Sequence, residues 1–504
     1  MRDADQLADR SIALVKELLK DSNKNRERRD RKNRKRFARL LKSPSAVSLT
    51  MALTDEVMRM SSMRSAAKTL RRTSKNASIS GLGFFDYFGI KLASITSHIF
   101  PKTVMRIVHR RVRAASDGII LPAENKLLRR HIRAREEDRA KLNINVLGEA
   151  VLGDHEALQR LNSVIEMVRR PEVNYASVKI SSIVSQLITI DHQGSVDRVA
   201  EHLRLLYRAA QESATFINLD MEEFRDLAIT VDVFKKLLDE EEFQSMNAGI
   251  VLQAYLPESH SAFANLVEWA KARNKRTGGT IKIRLVKGAN LAMEKAEAEL
   301  HGWVPAPYES KADVDASYAR LIDVALRPEN SGAVRIGIAS HNLFHLAWAI
   351  EIARARGVET QMDIEMLEGM ANAESLSISE RTGSVLLYTP VTRHNDFPAA
   401  VAYLVRRLDE NTSTENYLRA SFDMEVGNKK FVEQRERFLN SVIRRHSISI
   451  ISRRHLLKRE NPAEAYRHGI SSMNEMAMEL IQIIDRKLAK RSPLPFATMQ
   501  FIFH

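Results

Sequence analysis

Eight short apolar runs, each too brief to make a helix and each bounded by turn or polar residues, recur through the middle of this chain. Strands buried on both faces read this way. The spacing predicts strands over Asn143–Leu147, Tyr175–Ile180, Thr215–Leu219, Ala248–Ala254, Ile281–Val286, Val334–Ala339, Thr360–Leu367 and Ser384–Tyr388. Between them the apolar residues take a helical period. Helices are expected over Asp154–Arg169, Ser195–Glu212, Val231–Glu242, Ser259–Lys275, Asp313–Leu326, Leu343–Arg356 and Phe397–Glu410, with Ser195 as the N-cap of the second. Strand–helix alternation repeated eight times implies the α/β class and a closed (β/α)8 TIM-like barrel. An open doubly wound sheet is the competitor, but no Gly-x-Gly-x-x-Gly follows the first strand, so its dinucleotide-binding form has no support.

The flanks differ in texture. Residues 1–140 read as a basic, helical N-terminal region poor in Pro and Gly, residues 141–425 hold the barrel, and 426–504 read as a helical C-terminal extension. A chain of 504 residues exceeds the size at which one core usually stops growing, so appendages to the barrel are expected. The net charge of +15 is concentrated: between Lys20 and Lys42, twelve Lys/Arg face three acids, 12 − 3 = +9. Such a run binds nucleic acid or an anionic membrane, or is simply solvated. With no cysteine the chain has no disulfide, no thiolate metal site and no thiol nucleophile, which fits a reducing, cytoplasmic compartment. Its start lacks a signal-peptide layout, and the most apolar early stretch, Gly81 to Pro101, is broken by Asp86 and Lys91. A soluble or peripherally bound protein is expected.

In a barrel of this kind, chemistry gathers at the carboxyl ends of the strands. Those positions hold Lys179, Asp220, Gln253, Lys287, Ser340-His341-Asn342, Glu368 and Tyr388. Asp220 alone could be an N-cap and Lys179 a surface residue, but a purely structural barrel has no need of ionisable groups on most of its strands. No metal site is expected, since His341 lacks a second ligand at helical spacing. In Ile281-Lys282-Ile283-Arg284-Leu285-Val286, alternation puts Lys282, Arg284 and Val286 on one face. An interior arginine needs an electron-rich partner, either a cofactor heteroatom, a phosphate or an internal carboxylate. Gly288 at the strand end would admit close approach of a ligand to the backbone. Arg406 and Arg407 follow the last strand, two planar cationic forks suited to a carboxylate. On a helical wheel Arg407 borders the apolar stripe, and Arg406 lies nearly opposite it, on the side of Tyr403 and Glu410. A carboxylate clamp there requires this helix to lie over the barrel mouth. On an ordinary outer helix Arg406 would face water.

Taken in order, Val178-Lys179-Ile180-Ser181-Ser182, Asn218-Leu219-Asp220-Met221-Glu222-Glu223, Val251-Leu252-Gln253-Ala254-Tyr255, Arg284-Leu285-Val286-Lys287-Gly288-Ala289, Ala339-Ser340-His341-Asn342, Tyr388-Thr389-Pro390-Val391 and Tyr403-Leu404-Val405-Arg406-Arg407-Leu408-Asp409-Glu410-Asn411 resemble proline dehydrogenase. The form most resembled is the one found in bifunctional proline-utilisation flavoproteins. The resemblance implies a distorted barrel that holds FAD at its mouth and oxidises L-proline to Δ1-pyrroline-5-carboxylate by hydride transfer from C5 to the flavin N5. A membrane quinone takes the electrons, which implies peripheral association with the inner face of the cell membrane. A separate Δ1-pyrroline-5-carboxylate dehydrogenase is the implied partner, and nucleic acid is not. By motif match, Asp220, Lys179 and Tyr388 serve the chemistry, while Arg406, Arg407 and Leu367 bind substrate. Gln253, Arg284, Val286, Lys287, Gly288, Ala289, Lys311, Ser340, His341, Asn342 and Glu410 contact the cofactor.

Three departures stand out. Asn290-Leu291 follows Lys-Gly-Ala where many members carry an aromatic pair, and Glu365 stands where others carry Gln. The chain also stops at His504 and lacks cysteine, so the thiohemiacetal chemistry of the bifunctional relatives' second step is closed to it. It is expected to be monofunctional, a split gene product or a truncated one. The other readings of the residues are a different flavin barrel acting on another cyclic amine, and a degenerate barrel that binds nucleic acid or membrane through its basic arm.

Overall fold

Parallel strands form where the apolar runs lie: β1 (Ala140–Val146), β2 (Tyr175–Lys179), β3 (Phe216–Asp220), β4 (Ala248–Gln253), β5 (Ile281–Val286), β6 (Val334–Ala339), β7 (Met362–Leu367) and β8 (Val385–Thr392). The computed structural model describes residues 2–25, 56–57, 60, 62–74, 84–115, 118–148, 151, 153–393, 396, 400, 403 and 416–454. Each strand pairs with the next, and β8 pairs back onto β1 from Ala140↔Val385 to Val146↔Val391, which closes the barrel. The closure is uneven. β1 meets β8 along seven residue pairs but meets β2 along two. A two-residue strand, Leu121–Pro122, adds to the far end of β8.

The strand pattern follows from where the residues go. Outward positions such as Ile217, Leu219, Ile250, Leu252, Ile283 and Leu285 are fully buried under the surrounding helices, each worth about 1.5–3 kcal/mol in transfer from water. Inward positions are polar. Asn145, Ser177, Asn218, Asp220, Gln253, Lys282, Arg284, Glu365 and Tyr388 are all nearly inaccessible to solvent. Two inward glycines make room for them. A Cβ at Gly249 would collide with Asn218, and one at Gly337 with Glu365.

Helices Asp154–Val168, His192–Ser213, Asp226–Asp239, Glu258–Thr277, Lys311–Ala325 and Leu343–Arg356 lie between the strands, within a few residues of their expected bounds at most positions. The helix expected over 397–410 lies outside the described residues, apart from Ala400 and Tyr403. Ser195 is not an N-cap. The helix starts at His192, with the Asp191 carboxylate accepting from Gly194 N, and the Ser195 hydroxyl instead braces the preceding loop through Ile188 N and O. Helices Leu291–His301 and Asn372–Thr382 also form. Neither has much of an apolar stripe to announce it: the first buries Glu294 and Ala298, the second mostly Ser and Glu.

The N-terminal helix Arg2–Asn25 lies on Leu343–Arg356 and Asn372–Thr382, where Arg381 pairs with Glu17 at 3.0 Å and with Asp21. Helix Lys429–Arg444 packs on Lys311–Ala325 and also on Leu343–Arg356, where Phe438 meets Phe344 and Trp348. Helices Met63–Ser74, Phe84–Thr96 and Pro101–Ala115 form a small unit with its own core of Val57, Ala66, Ala67, Leu70 and Met105.

Candidate functional site

A cavity of about 880 Å³ opens at the carboxyl ends of the strands. Among the residues singled out from the sequence, Lys179, Asp220, Tyr388 and Leu367 line it, as do Gln253, Arg284, Lys311 and the run Val286, Lys287, Gly288 and Ala289. Ser340, His341 and Asn342 line it too. Arg406, Arg407 and Glu410 lie outside the described residues, but Tyr403, three residues before Arg406, reaches the cavity wall.

The floor is a connected set of charges. The Tyr388 hydroxyl donates to Asp220 Oδ2 at 2.8 Å and accepts from Asn145 Nδ2. Asn218 Nδ2 donates to Asp220 Oδ1 at 3.0 Å. Arg284 approaches Asp220 at 3.5 Å and lies over the Tyr388 ring at 4.7 Å. Burial pushes the Asp220 carboxyl above its usual range, against the pull of Arg284, and pushes the Tyr388 phenol well up, with Asp220 adding to the effect.

Arg284 therefore has internal carboxylate partners. Its main one is Glu365, with Nε to Oε2 at 2.8 Å. Glu365 in turn meets Lys282 at 2.7 Å, and Lys282 reaches Asp363 at 2.9 Å. Burial alone would lower the pKa of both cations, but the surrounding carboxylates, Glu365 first, outweigh it and raise both. The Arg284 Nε contact is an ion pair by distance without hydrogen-bond alignment, so this buried donor keeps capacity for another acceptor.

The rim is arranged differently. Lys287 and Lys311 converge on one carboxylate, Asp315, at 2.5 and 2.9 Å. They hold Asp315 well below the usual carboxylate range despite its burial. Burial, with Lys311 nearby, lowers Lys287 to about 8. Two cations on one anion leave surplus positive charge facing the cavity. That surplus, with the spare donor on Arg284 below, suits an anionic cofactor such as the phosphate-bearing FAD. Gly288 has φ +123, and a Cβ there would strike the Tyr255 ring at 2.5 Å, so this turn needs glycine.

Several strand-end residues have local work. His341 Nε2 accepts from Leu367 N at 3.2 Å, tying β6 to β7. Asn342 Oδ1 accepts from Phe344 N and caps helix Leu343–Arg356. Lys179 pairs with Glu222 at 2.8 Å. Glu368 is not among the cavity-lining residues. It faces the other way and holds Arg135 at 2.5 Å and His131 at 3.2 Å, anchoring helix Asn125–Glu137. Sequence reasoning passed over Asn145, Glu222 and Asp315. Asn145 sits in inward alternation on β1, and Asp315 stands four residues after Lys311, which is the spacing of a helical ion pair.

The proline dehydrogenase family profile matches residues 128–420. Proline utilization A from Corynebacterium freiburgense has a solved structure 44% identical to this chain, with a TM-score of 0.65, over 77% of this chain and 40% of that one. The bifunctional protein PutA of Escherichia coli is 28% identical over 255 residues, 49% of this chain and 19% of its own length. The proline dehydrogenase of Deinococcus radiodurans is 27% identical over 284 residues, 55% of this chain and 80% of its own. The chain thus spans about a fifth of the curated bifunctional relative. The profile covers more than half of the chain and the whole strand series that builds the cavity, and this chain belongs to the proline dehydrogenase family.

Proposed function

We propose that this chain oxidises L-proline to Δ1-pyrroline-5-carboxylate, with FAD held in the cavity and a membrane quinone as the onward acceptor. The observation that carries the reading is the convergence of Asp220, Arg284, Tyr388, Lys179 and Gln253 on one cavity in a chain of this family. Arg284 and Gln253 would hold the isoalloxazine. The backbone of 286–289, Lys311, Ser340, His341 and Asn342 would hold the rest of the cofactor, and Glu410 would pair with the clamp. Bound FAD supplies the two-electron acceptor.

The residues of the chain supply the rest. Arg406 and Arg407 would take the substrate carboxylate as a bidentate anion site. Leu367, Tyr388 and Lys179 would wall the ring. As the C5–H bond gives up its electron pair and the amine gives up a proton, a C=N bond forms and positive charge gathers near the nitrogen. The Asp220 carboxylate, held by Tyr388 and Asn218, would stabilise that charge. Association with the cytoplasmic membrane face, and a separate dehydrogenase that consumes the product, belong to the same proposal.

The test is anaerobic. Purified protein loaded with FAD is mixed with L-proline, and the flavin absorbance is followed. The wild type bleaches, and Arg406→Ala bleaches only at a far higher proline concentration. A protein that takes up no flavin sinks the reading, and bleaching by Arg406→Ala at unchanged proline affinity sinks the clamp.

A further inference from the structure

We infer that the helical hairpin Phe84–Thr96 and Pro101–Ala115 docks this protein on an anionic lipid surface. This deepens the membrane part of the proposed function but rests on its own observations. Phe88, Leu92 and Ile95 follow a spacing of four and three residues and share one arc of their helix. Ile99 and Phe100 continue the apolar run through the turn, and Ile107 on the next helix is exposed as well. All six are more than half exposed, whereas most bulky apolar side chains of the barrel are buried. An apolar patch of this kind on a soluble surface marks a contact.

The hairpin is held from its other side. Arg71 donates to Ser97 O at 3.2 Å, Ser74 and Ser94 share a 2.7 Å hydrogen bond, and Met105 and Ala93 pack into the small core of the three-helix unit. That fastening uses the face opposite Phe88, Leu92 and Ile95, so the apolar arc is left outward.

Charge decides the occupant. From Tyr87 to Ser116 the chain has no acidic residue and six Lys/Arg. Lys102, Arg106 and Arg110 repeat every four residues along the second helix and are exposed, and none forms an ion pair with a described residue. Bulky aliphatic and Phe side chains beside unpaired cations match the headgroup–acyl boundary of an anionic bilayer. No helix among the described residues is long and apolar enough to cross a membrane, so the hairpin lies on the surface.

The experiment is flotation of the full-length chain with vesicles of phosphatidylcholine alone or of equal parts phosphatidylcholine and phosphatidylglycerol. The wild type floats with the mixed vesicles, and salt releases it. The pair Ile95→Ser with Ile99→Ser, and the pair Arg106→Glu with Arg110→Glu, each weaken binding by about tenfold or more. Helical circular dichroism confirms that each variant is folded. A control pair in the basic arm, Arg34→Glu with Arg36→Glu, leaves most of the binding in place. The proposal is overturned if the wild type ignores anionic vesicles, or if only the arm variant loses binding. It is equally overturned if the hairpin variants lose a dimer in sedimentation while floating as well as the wild type. Proline-dependent reduction of a soluble dye by the hairpin variants is unchanged, so loss of flotation and loss of the dehydrogenase reading are separate results.

Discussion

Lys282 and Lys287 stand five residues apart on one strand and its loop, and their surroundings push them in opposite directions. Lys282, below the cavity floor, meets two carboxylates, Glu365 and Asp363, and its pKa is raised. Lys287, at the rim, shares the single carboxylate of Asp315 with Lys311 and falls to about 8. The lower set gives each of its cations a carboxylate partner and leaves over the spare donor on Arg284. The upper set is short of negative charge, which the cofactor proposed above would supply. One strand and its loop thus carry a cation surrounded by the barrel's own carboxylates below and a cation short of them at the rim.

The largest effect is expected from breaking the lower set. Glu365→Leu leaves Lys282 and Arg284 buried with too few anions, and urea unfolding should record a loss of about 3–5 kcal/mol. Removing Lys282 as well, in Lys282→Met with Glu365→Leu, should recover part of that loss, since Arg284 is left with Asp220 alone. A single substitution that costs less than about 1 kcal/mol would mean that Glu365 is not what holds the two cations indoors.

Asp220→Asn acts on the cavity floor, above that network. The amide retains the contact with Tyr388 but not the charge, so proline-dependent dye reduction should fall about 10²-fold in kcat with unfolding stability nearly unchanged. An equal fall in stability would make Asp220 a structural residue.

The third effect is a pH dependence at the rim. A lysine whose folded pKa is depressed to about 8 from 10.5 binds fewer protons than the unfolded chain between those values. Its contribution to stability therefore rises with pH across that window. Lys287→Met should remove the rise. FAD binding near pH 8 should take up a proton, seen as a calorimetric heat that varies with buffer ionisation enthalpy. Lys282 should show neither behaviour.

The smallest effect lies at the edge of the cavity mouth, where burial raises Glu294 to about 7 and its carboxylate accepts from Phe224 N at 2.7 Å. A carboxyl with a raised folded pKa holds its proton while the unfolded chain has lost it. Stability from this group should fall as pH rises from about 4.5 to about 7. Glu294→Gln should flatten that slope and raise the melting temperature at pH 8 by roughly 2 °C.

The strand series was legible because each strand is a short run with apolar outward residues bounded by turn or polar residues, and two of eight, β5 and β6, match their expected bounds at both ends. Period-two alternation also placed Lys282 and Arg284 indoors. It did not reveal that Glu365, eighty residues on, is their counter-ion, because pairing across a barrel is a tertiary fact that local pattern does not carry. The choice of strand-end residues failed at Glu368 for a related reason. Leu367 points into the cavity, so its neighbour must point out. The Ser195 cap was missed because a hydroxyl and a carboxylate four residues apart compete for one helix start, and Asp191 takes it. The alternation is silent on helix Leu291–His301, which buries too little to show a stripe.

The division of labour between Asp220 and the ion network beneath it is tested most directly by anaerobic bleaching of the bound flavin by L-proline in three proteins side by side: wild type, Asp220→Asn, and the paired Lys282→Met, Glu365→Leu. The account predicts that the paired variant bleaches within about tenfold of the wild-type rate and that Asp220→Asn slows about 10²-fold. Bleaching that is lost in the paired variant and intact in Asp220→Asn would contradict it.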